Sequence, residues 1–289
     1  MNTGTGTAAA RLGAATRMGA VHLTVADLTR SVDYYRDGIG LGVLADGAGT
    51  ASLGAGEVEL VRLVEEPGAR PSRGHTGLFH MALRVPARDD LARWLAHAAR
   101  DRVPLAGMSD HFVSEAIYLQ DPDDHGIEIY HDRPRSLWEG RVGEMNTQAL
   151  DVDDLFGELE DPATEPFAGL PAGTDVGHVH LRVADIPSTV AFYRDVLGFD
   201  LMTTYGPHAA FLAAGGYHHH VGANVWQSMG APPPPPGTAA LRLATIVLPD
   251  TAERDRTAER VRDGGGKPEE HDDGVIVRDP SGNALLLAA

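Results

Sequence analysis

Polar residues that could do metal or acid–base chemistry cluster in one segment, Ser109–Tyr130. The segment predicts two short strands joined by a tight turn, with His111 and Tyr118 on the first side of the turn and Glu128 in the second strand. Because side chains alternate across a strand, Glu128 points to the face opposite its two isoleucine neighbours. A carboxylate in that setting is either an exposed edge residue or a ligand, and its spacing favours a ligand.

The remaining candidates are histidines, which number 14 in a chain of 289 residues without cysteine. The absence of cysteine rules out disulfides and thiolate metal ligands. His80 and His178 lie in the predicted strands FHMALRV and GHVHLRV, and three consecutive histidines, His218–His220, follow two glycines and a tyrosine. Imidazole is a common metal ligand and the side chain that changes charge near neutral pH, so these positions are candidates for both roles.

An internal repeat indicates which elements position these residues. The segment VHLTVADLTRSVDYYRDGIGL, residues 21–41, returns as VHLRVADIPSTVAFYRDVLGF, residues 179–199, with about half of the positions identical. Each copy predicts a strand followed by a helix, and each helix ends at a glycine, Gly40 or Gly198, as helix C-termini often do.

Two further strand–helix units complete the pattern, so the sequence predicts four βαβββ modules. They cover about 18–65, 74–132, 176–226 and 238–289. The predicted domain organisation has four parts. They are a flexible tail (1–17), a first pair of modules (18–132), an acidic connector rich in glycine and proline (133–174) and a second pair of modules (175–289).

The segment around Glu128 closely resembles the signature of extradiol ring-cleavage dioxygenases. It has the order and spacing His111, Ile117–Tyr118, Asp121–Pro122 and Glu128, while Ser109 and Asp124 depart from the usual signature.

Those enzymes belong to the vicinal-oxygen-chelate superfamily, together with the glyoxalases. The segments GGYHHH and IEIYHDRPRSLW more specifically resemble small bacterial catechol 2,3-dioxygenases. The resemblance implies an α+β fold in which the four βαβββ modules form two vicinal-oxygen-chelate domains, with curled mixed sheets around a cavity.

The resemblance also implies one metal site. At the family's ligand positions the second module has His80 and Glu128, and the third module has His178. Two imidazoles and one carboxylate with open positions are typical of non-haem Fe(II) oxygenases, so Fe(II) is the expected cofactor and Mn(II) its alternative. The corresponding positions of the first and fourth modules are apolar, which predicts a filled, inactive cavity there: Ala20, Leu243 and Leu286.

This ligand set requires module two to pair with module three rather than with module one. His22 is the fallback ligand if modules one and two pair instead. His22 and His180 are otherwise expected to be hydrogen-bonded structural residues, because each lies two residues after a ligand position.

The resemblance further implies three catalytic residues. His220 is expected to be the general acid/base, with a role as a fourth metal ligand as the alternative. His218 shares its predicted face and could compete with it, whereas His219 is expected to point away. His111 and Tyr118 are expected to hydrogen-bond the substrate or oxygen-derived ligands near the metal.

Composition narrows the partners. The formal net charge of −17 argues against nucleic acid. No apolar run is long enough to span a membrane, and the N-terminal segment lacks the apolar core of a secretion signal, so we expect no membrane partner and a cytoplasmic location. The expected partners are a small aromatic molecule and O2, and a homodimer is compatible with the sequence.

Three functions follow, in order of preference. The first is an Fe(II)-dependent extradiol dioxygenase acting on a catechol-like aromatic. The second is a glyoxalase-like, metal-dependent lyase or isomerase, which would use a fourth ligand. The third is a non-catalytic protein that binds an antibiotic, which would not need the ligand set.

Overall fold

Two eight-stranded mixed sheets form the protein, which is described here by a computed structural model covering residues 10–289. Part of the predicted tail, residues 1–9, lies outside the described residues. The rest of it packs against the fold, since Leu12 is buried and its N–H donates to the carbonyl of Gly198 at 2.9 Å. Within the described part, no helix has both the length and the apolar character that crossing a membrane requires.

The first module supplies a strand, a helix and three further strands, followed by a very short strand. Their bounds are β1 (Arg17–Val25), α1 (Leu28–Asp33), β2 (Gly42–Gly47), β3 (Thr50–Ala55), β4 (Val58–Glu65) and β5 (Arg70–Pro71).

The second module repeats this order and leads into the connector, where two short helices form. Their bounds are β6 (Gly77–Arg84), α2 (Arg88–Asp101), β7 (Gly107–Asp110), β8 (Ser114–Gln120), β9 (Gly126–Asp132), α3 (Arg135–Trp138) and α4 (Val152–Phe156).

The third and fourth modules follow the same plan, with one short strand between them that pairs with β5. Their bounds are β10 (Asp175–Arg182), α5 (Ile186–Ala191), β11 (Asp200–Tyr205), β12 (Ala209–Ala213), β13 (Val221–Asn224), β14 (Thr238–Ala239), β15 (Leu241–Val247), α6 (Thr251–Asp263), β16 (Glu269–His271), β17 (Gly274–Arg278) and β18 (Ala284–Ala288).

Helices α1 and α5 begin at equivalent residues of the repeat and lead to the predicted glycines. Asp27 and Asp185 cap their N-termini by accepting a backbone N–H three residues on. Each helix continues into a π-helical turn that stops at a glycine in the left-handed region, with φ 90° at Gly40 and φ 101° at Gly198. Glycine adopts this conformation without steric cost, so the chain can reverse there into the next strand.

The four modules pair across the sequence rather than along it. The first sheet has the order β16-β17-β18-β15-β1-β4-β3-β2, and the second has the order β11-β12-β13-β10-β6-β9-β8-β7. In each sheet the first strands of two modules run antiparallel at the centre, β1 with β15 and β10 with β6. Modules two and three therefore form one sheet, as the ligand positions require, and modules one and four form the other.

One hydrophobic core joins the two sheets and the long helices. Alternate residues of the central strands enter it, among them Leu23 of the first sheet and Leu83 and Leu181 of the second. Trp94 of α2 is fully buried in the same core, and its indole N–H donates to the carbonyl of Ile39. Because the strands alternate, the remaining residues of each sheet face away from this core and can line a cavity. The predicted α+β fold with four βαβββ modules and curled mixed sheets is confirmed.

Candidate metal centre

Three neighbouring strands of the second sheet bring the predicted ligands together. Glu128 of β9 and His178 of β10 are both register partners of Ala82, which lies on the strand between them, β6. His80 lies two residues before Ala82 on the same strand and therefore on the same face. The small side chain of Ala82 leaves the space between the three polar groups free.

The three side chains converge within coordination distance of one another. The Nε2 atom of His80 lies 3.0 Å from Oε2 of Glu128, and Nε2 of His178 lies 3.3 Å from the same oxygen. All three residues are buried, and one ligand atom from each falls within a set spanning 4.8 Å. Among residues 10–289, no other set of three or more His, Asp or Glu side chains meets this condition.

The arrangement fits a metal ion better than it fits a hydrogen-bonded cluster. His80 Nε2 is close to Glu128, but its direction does not allow a hydrogen bond, so this buried nitrogen lacks a partner. Imidazole and carboxylate ligands bound at about 2.1 Å and at right angles lie about 3 Å from each other. The spacing around Glu128 is therefore the spacing that one shared cation would impose.

The charges of the three groups also suit a cation. Burial by itself raises the pKa of Glu128, but the adjacent rings of His178 and His80 hold that pKa well below its ordinary value. Burial lowers the pKa of His178 to about 4, although Glu128 opposes this shift. At neutral pH the site therefore has a carboxylate and an unprotonated His178 ring, which are the forms that bind metals.

A cavity of about 340 Å³ opens beside the three residues. Its wall is largely aromatic, with Phe79, Tyr205, Phe211 and Trp226 around the polar end. Trp226 is half exposed, which places it at the mouth. The described lining residues include neither Lys nor Arg, and Glu128 is their one carboxylate. Such a cavity suits a flat, uncharged ligand that reaches the polar end with its oxygens.

His111 and Tyr118 lie on the wall of this cavity, as predicted. The carbonyl of Asn146 lies 2.8 Å from Nδ1 of His111, so a neutral His111 carries its proton on Nδ1. Its Nε2 then accepts a hydrogen bond from the Tyr118 hydroxyl at 2.7 Å. Burial, with the nearby Glu128 carboxylate, raises the pKa of Tyr118 well above its ordinary value, so the hydroxyl stays protonated.

His220 does not reach this cavity, and His219 does. The ring of His219 lies 4.1 Å, centre to centre, from that of His178 and lines the cavity wall. The ring of His220 lines a separate cavity beside Tyr217, and its Nδ1 accepts the backbone N–H of Ala214. The expected placement of His220 was therefore wrong.

The error has a structural cause. Strand β13 begins at Val221, so the three histidines lie in a turn where the alternation of strand side chains does not apply. Strand alternation extended backward from β13 would place His218 and His220 on the cavity side and His219 on the opposite side.

His180 also differs from its expected structural role. It lines the cavity 5.0 Å, ring to ring, from His80, and its buried Nε2 has no hydrogen-bond partner among the described residues. The sequence did contain a signal for this position. His180 lies two residues after His178 on β10, and residues two apart on a strand share a face. The cavity position of Phe79 had no comparable signal in the sequence.

The face of the first sheet that corresponds to the cavity face of the second sheet is more polar than predicted. His22 of β1 is the register partner of Arg62 on β4, and Arg62 forms an ion pair with Glu59 at 2.7 Å. Ser52 also donates to Glu59 at 2.6 Å. The predicted filling by apolar side chains alone was thus incorrect, although His22 joins no metal-binding group of the described residues.

Comparison with known proteins gives the family from the sequence and the fold from solved structures. The sequence model of the family described as Glyoxalase/Bleomycin resistance protein/Dioxygenase superfamily matches residues 17–129 and 175–287. A protein of Bacillus subtilis (strain 168) named catechol-2,3-dioxygenase is 42% identical over 278 residues, which cover 94% of this chain and 96% of that protein.

Solved structures share the fold at much lower identity. A Bacillus subtilis crystal structure, provisionally described as a dioxygenase, superposes with a TM-score of 0.64 at 16% identity, covering 94% of this chain and 85% of the other. Glyoxalase I from Zea mays superposes with a TM-score of 0.58 at 18% identity, covering 94% and 92%. At these identities the likeness extends to the fold and no further.

Proposed function

The chain belongs to the glyoxalase/bleomycin resistance protein/dioxygenase superfamily, and from this premise we propose that it is an extradiol dioxygenase that opens the ring of a catechol. One observation carries the proposal. His80, Glu128 and His178 converge around a single point at the polar end of an aromatic-walled cavity. Two imidazoles and a carboxylate leave room on a metal ion for further ligands, which a diol and O2 both need.

Fe(II) is the proposed ion, with Mn(II) as the alternative, and His80, Glu128 and His178 are its proposed ligands. When bound, the ion would supply the Lewis acidity and the electron transfer that oxygen chemistry requires. The chain's own contribution is to hold the three ligands on adjacent strands and to exclude bulk water from the site. The ligands are 7% exposed or less, which supports this second role.

The proposed substrate is an uncharged catechol. Its ring would lie between the aromatic residues of the wall, with both hydroxyls toward the ligands. In the proposed reaction a ring carbon–carbon bond next to the diol breaks, and both oxygen atoms of O2 enter the product. The absence of Lys and Arg from the described lining argues against a carboxylate on the ring, because that charge would be buried without a partner.

Three residues are proposed to manage protons and polar contacts. His219 takes the place first expected for His220: it would accept a proton from a catechol hydroxyl and return it later in the reaction. Tyr118, whose hydroxyl donates to Nε2 of His111, would accept a hydrogen bond from the substrate on its oxygen. The sequence-based expectations of a homodimer and of a cytoplasmic location stay predictions.

The other two candidate functions are less well supported. A glyoxalase-like isomerase was expected to use His220 as a fourth ligand, and that ring lines a different cavity. An antibiotic-binding protein would not require a buried carboxylate between two imidazoles. Desolvating such a carboxylate costs free energy unless it is paired or coordinates a metal ion.

A direct test uses protein purified without oxygen. After loading with Fe(II) and removal of excess metal, we expect about one metal ion per chain by elemental analysis. Adding catechol and then air-saturated buffer should give a yellow ring-opened product. Metal-loaded protein that leaves a series of catechols unchanged would refute ring cleavage.

Two matched glutamine variants locate the activity. Glu128→Gln removes the charge but keeps the shape, so we expect loss of both bound metal and product. Glu59→Gln makes the same change on the first sheet and should leave metal content at about one per chain. Equal metal content in the two variants would contradict the proposed ligand set.

A further inference from the structure

A hydrogen-bonded chain runs from the cavity wall to a buried carboxylate. Nδ1 of His219 lies 2.8 Å from Nδ1 of His218, and Nε2 of His218 lies 2.7 Å from Oδ1 of Asp132. The His218 side chain is completely buried. Water therefore cannot replace any partner of this ring, and each of its two nitrogens has one defined neighbour.

The carboxylate at the end of this chain is held in its ionised form. Its other oxygen, Oδ2, accepts the Tyr217 hydroxyl at 2.8 Å and Nη1 of Arg84 at 3.0 Å. Burial by itself raises the pKa of Asp132, but the hydrogen bond from His218 and the charge of Arg84 together bring it down to about 2. At neutral pH Asp132 can therefore only accept hydrogen bonds.

With His218 neutral, the direction of every hydrogen bond in the chain follows from this. Since Asp132 only accepts, Nε2 of His218 must donate. A neutral imidazole carries one proton, so Nδ1 of His218 is then an acceptor. The facing Nδ1 of His219 must donate to it, which leaves Nε2 of His219 without a proton. Among residues 10–289, no partner is recorded for that Nε2, and the ring lines the cavity.

We propose that Asp132 is a positioning residue that acts through His218 to keep Nε2 of His219 unprotonated and directed at the substrate. An unprotonated Nε2 can take a proton from a catechol hydroxyl, whereas the other tautomer would present an N–H and could not. The catalytic meaning of this arrangement rests on the proposed function, but the tautomer itself does not. In this respect Asp132 resembles the carboxylate that orients a histidine base in hydrolases.

The chain also provides a matched control. Arg84 bridges two carboxylates, with Nη1 on Asp132 and Nη2 on Asp175 at 2.7 Å. Asp175 is the more exposed of the two carboxylates and contacts a different nitrogen of Arg84. Replacing Asp175 therefore disturbs the same ion-pair network without altering the partner of His218.

The first experiment reads the tautomer directly in metal-free protein. Long-range ¹H–¹⁵N spectra of histidine-labelled protein distinguish a ring protonated on Nδ1 from one protonated on Nε2, and the spectrum of His219→Gln assigns the signal. We expect His219 to carry its proton on Nδ1 in the wild type. A wild-type His219 that carries its proton on Nε2 would overturn the proposal without the need for any Asp132 variant.

The second experiment removes the control over the tautomer. In Asp132→Asn the side-chain amide can donate to His218, which then reverses both bonds of the chain. We expect the His219 proton to move to Nε2 and kcat of the Fe(II)-loaded enzyme to fall about 100-fold or more, with metal content and KM for catechol changed little. Asp175→Asn should keep the wild-type tautomer and a kcat within about threefold, since a half-exposed ion pair contributes little.

The outcomes separate this inference from the proposed function. An Asp132→Asn protein with wild-type kcat and an unchanged His219 signal would overturn the inference alone. A wild type that binds metal but cleaves no catechol would refute the proposed function and leave the tautomer assignment intact.

Discussion

The two sheets of this protein have equivalent strand orders, but their open faces carry different side chains at equivalent positions. Where the second sheet has its three candidate ligands, the first has residues that cannot bind a metal: Ala20, Leu243 and Leu286. Glu128 is the register partner of Ala82, and Leu286 is that of Thr245. The scaffold thus brings three positions together twice, and residue type decides which set can hold an ion.

A second difference concerns space and charge. His180 of the second sheet is the register partner of Gly222, whereas His22 of the first sheet is the partner of Arg62. A Cβ atom at Gly222 would lie 2.9 Å from the His180 ring, so only glycine lets that ring pack there. Arg62 instead places a permanent cation on the first sheet. The residue opposite this histidine is therefore uncharged and small on the second sheet, and charged and ion-paired with Glu59 on the first.

The largest effect is expected for His178→Ala. Removing one of three ligands leaves too few donors for tight binding, so metal content should fall from about one per chain to near zero, and ring cleavage should disappear. Elemental analysis and oxygen uptake with catechol measure both.

His22→Leu is the matched change on the first sheet, because it also removes one buried histidine from an open face. It should retain the metal and the activity. If it lost the metal while His178→Ala kept it, the assignment of the site to the second sheet would be wrong.

A smaller effect is expected for Gly222→Ala. The added methyl group would press on the His180 ring at 2.9 Å, so either the ring or β13 must shift. Overpacking of this kind costs about 1–3 kcal/mol of unfolding free energy, and the displaced ring should also raise KM for catechol. Urea denaturation and steady-state kinetics measure the two effects.

Arg62→Ala is the counterpart of this variant on the first sheet. It removes a partly exposed ion pair, so it should change the unfolding free energy by about 1 kcal/mol or less and leave KM unaltered. Wild-type stability and KM in Gly222→Ala would contradict the packing argument for the second sheet.

The last expected effect concerns pH and the first sheet. Burial, followed by the charge of Arg62, lowers the pKa of His22 from 6.5 to about 4. Between these values the unfolded chain binds a proton at this position more readily than the folded chain does. His22 therefore destabilises the fold progressively as pH falls from about 6.5 to 4 and has no such effect above pH 7.

His22→Leu removes this pH-dependent contribution. Between pH 7.5 and 4.5 the unfolding free energy of the variant should therefore fall by about 1–2 kcal/mol less than that of the wild type, after allowance for solvent screening. Urea denaturation at the two pH values gives the difference. Identical losses would show that the pKa of His22 is the same in the folded and the unfolded chain.

Local patterns in the sequence were sufficient to predict the modules and the three converging residues. The repeat predicted the two helices that end at Gly40 and Gly198, because the left-handed conformation there depends on the residue itself. Strand alternation, combined with the family likeness, placed His80, Glu128 and His178 on one face, since side-chain direction in a regular strand follows from position alone.

Tertiary structure decided the rest. The sequence left open which modules pair, because that choice depends on contacts between strands about 100 residues apart, such as β6 with β10. The sequence-based choice among the three consecutive histidines was wrong, since a turn has no fixed alternation and its side chains orient toward the partners that folding supplies. The bond from His218 to Asp132 joins residues 86 positions apart, so it exists only once the second sheet has assembled.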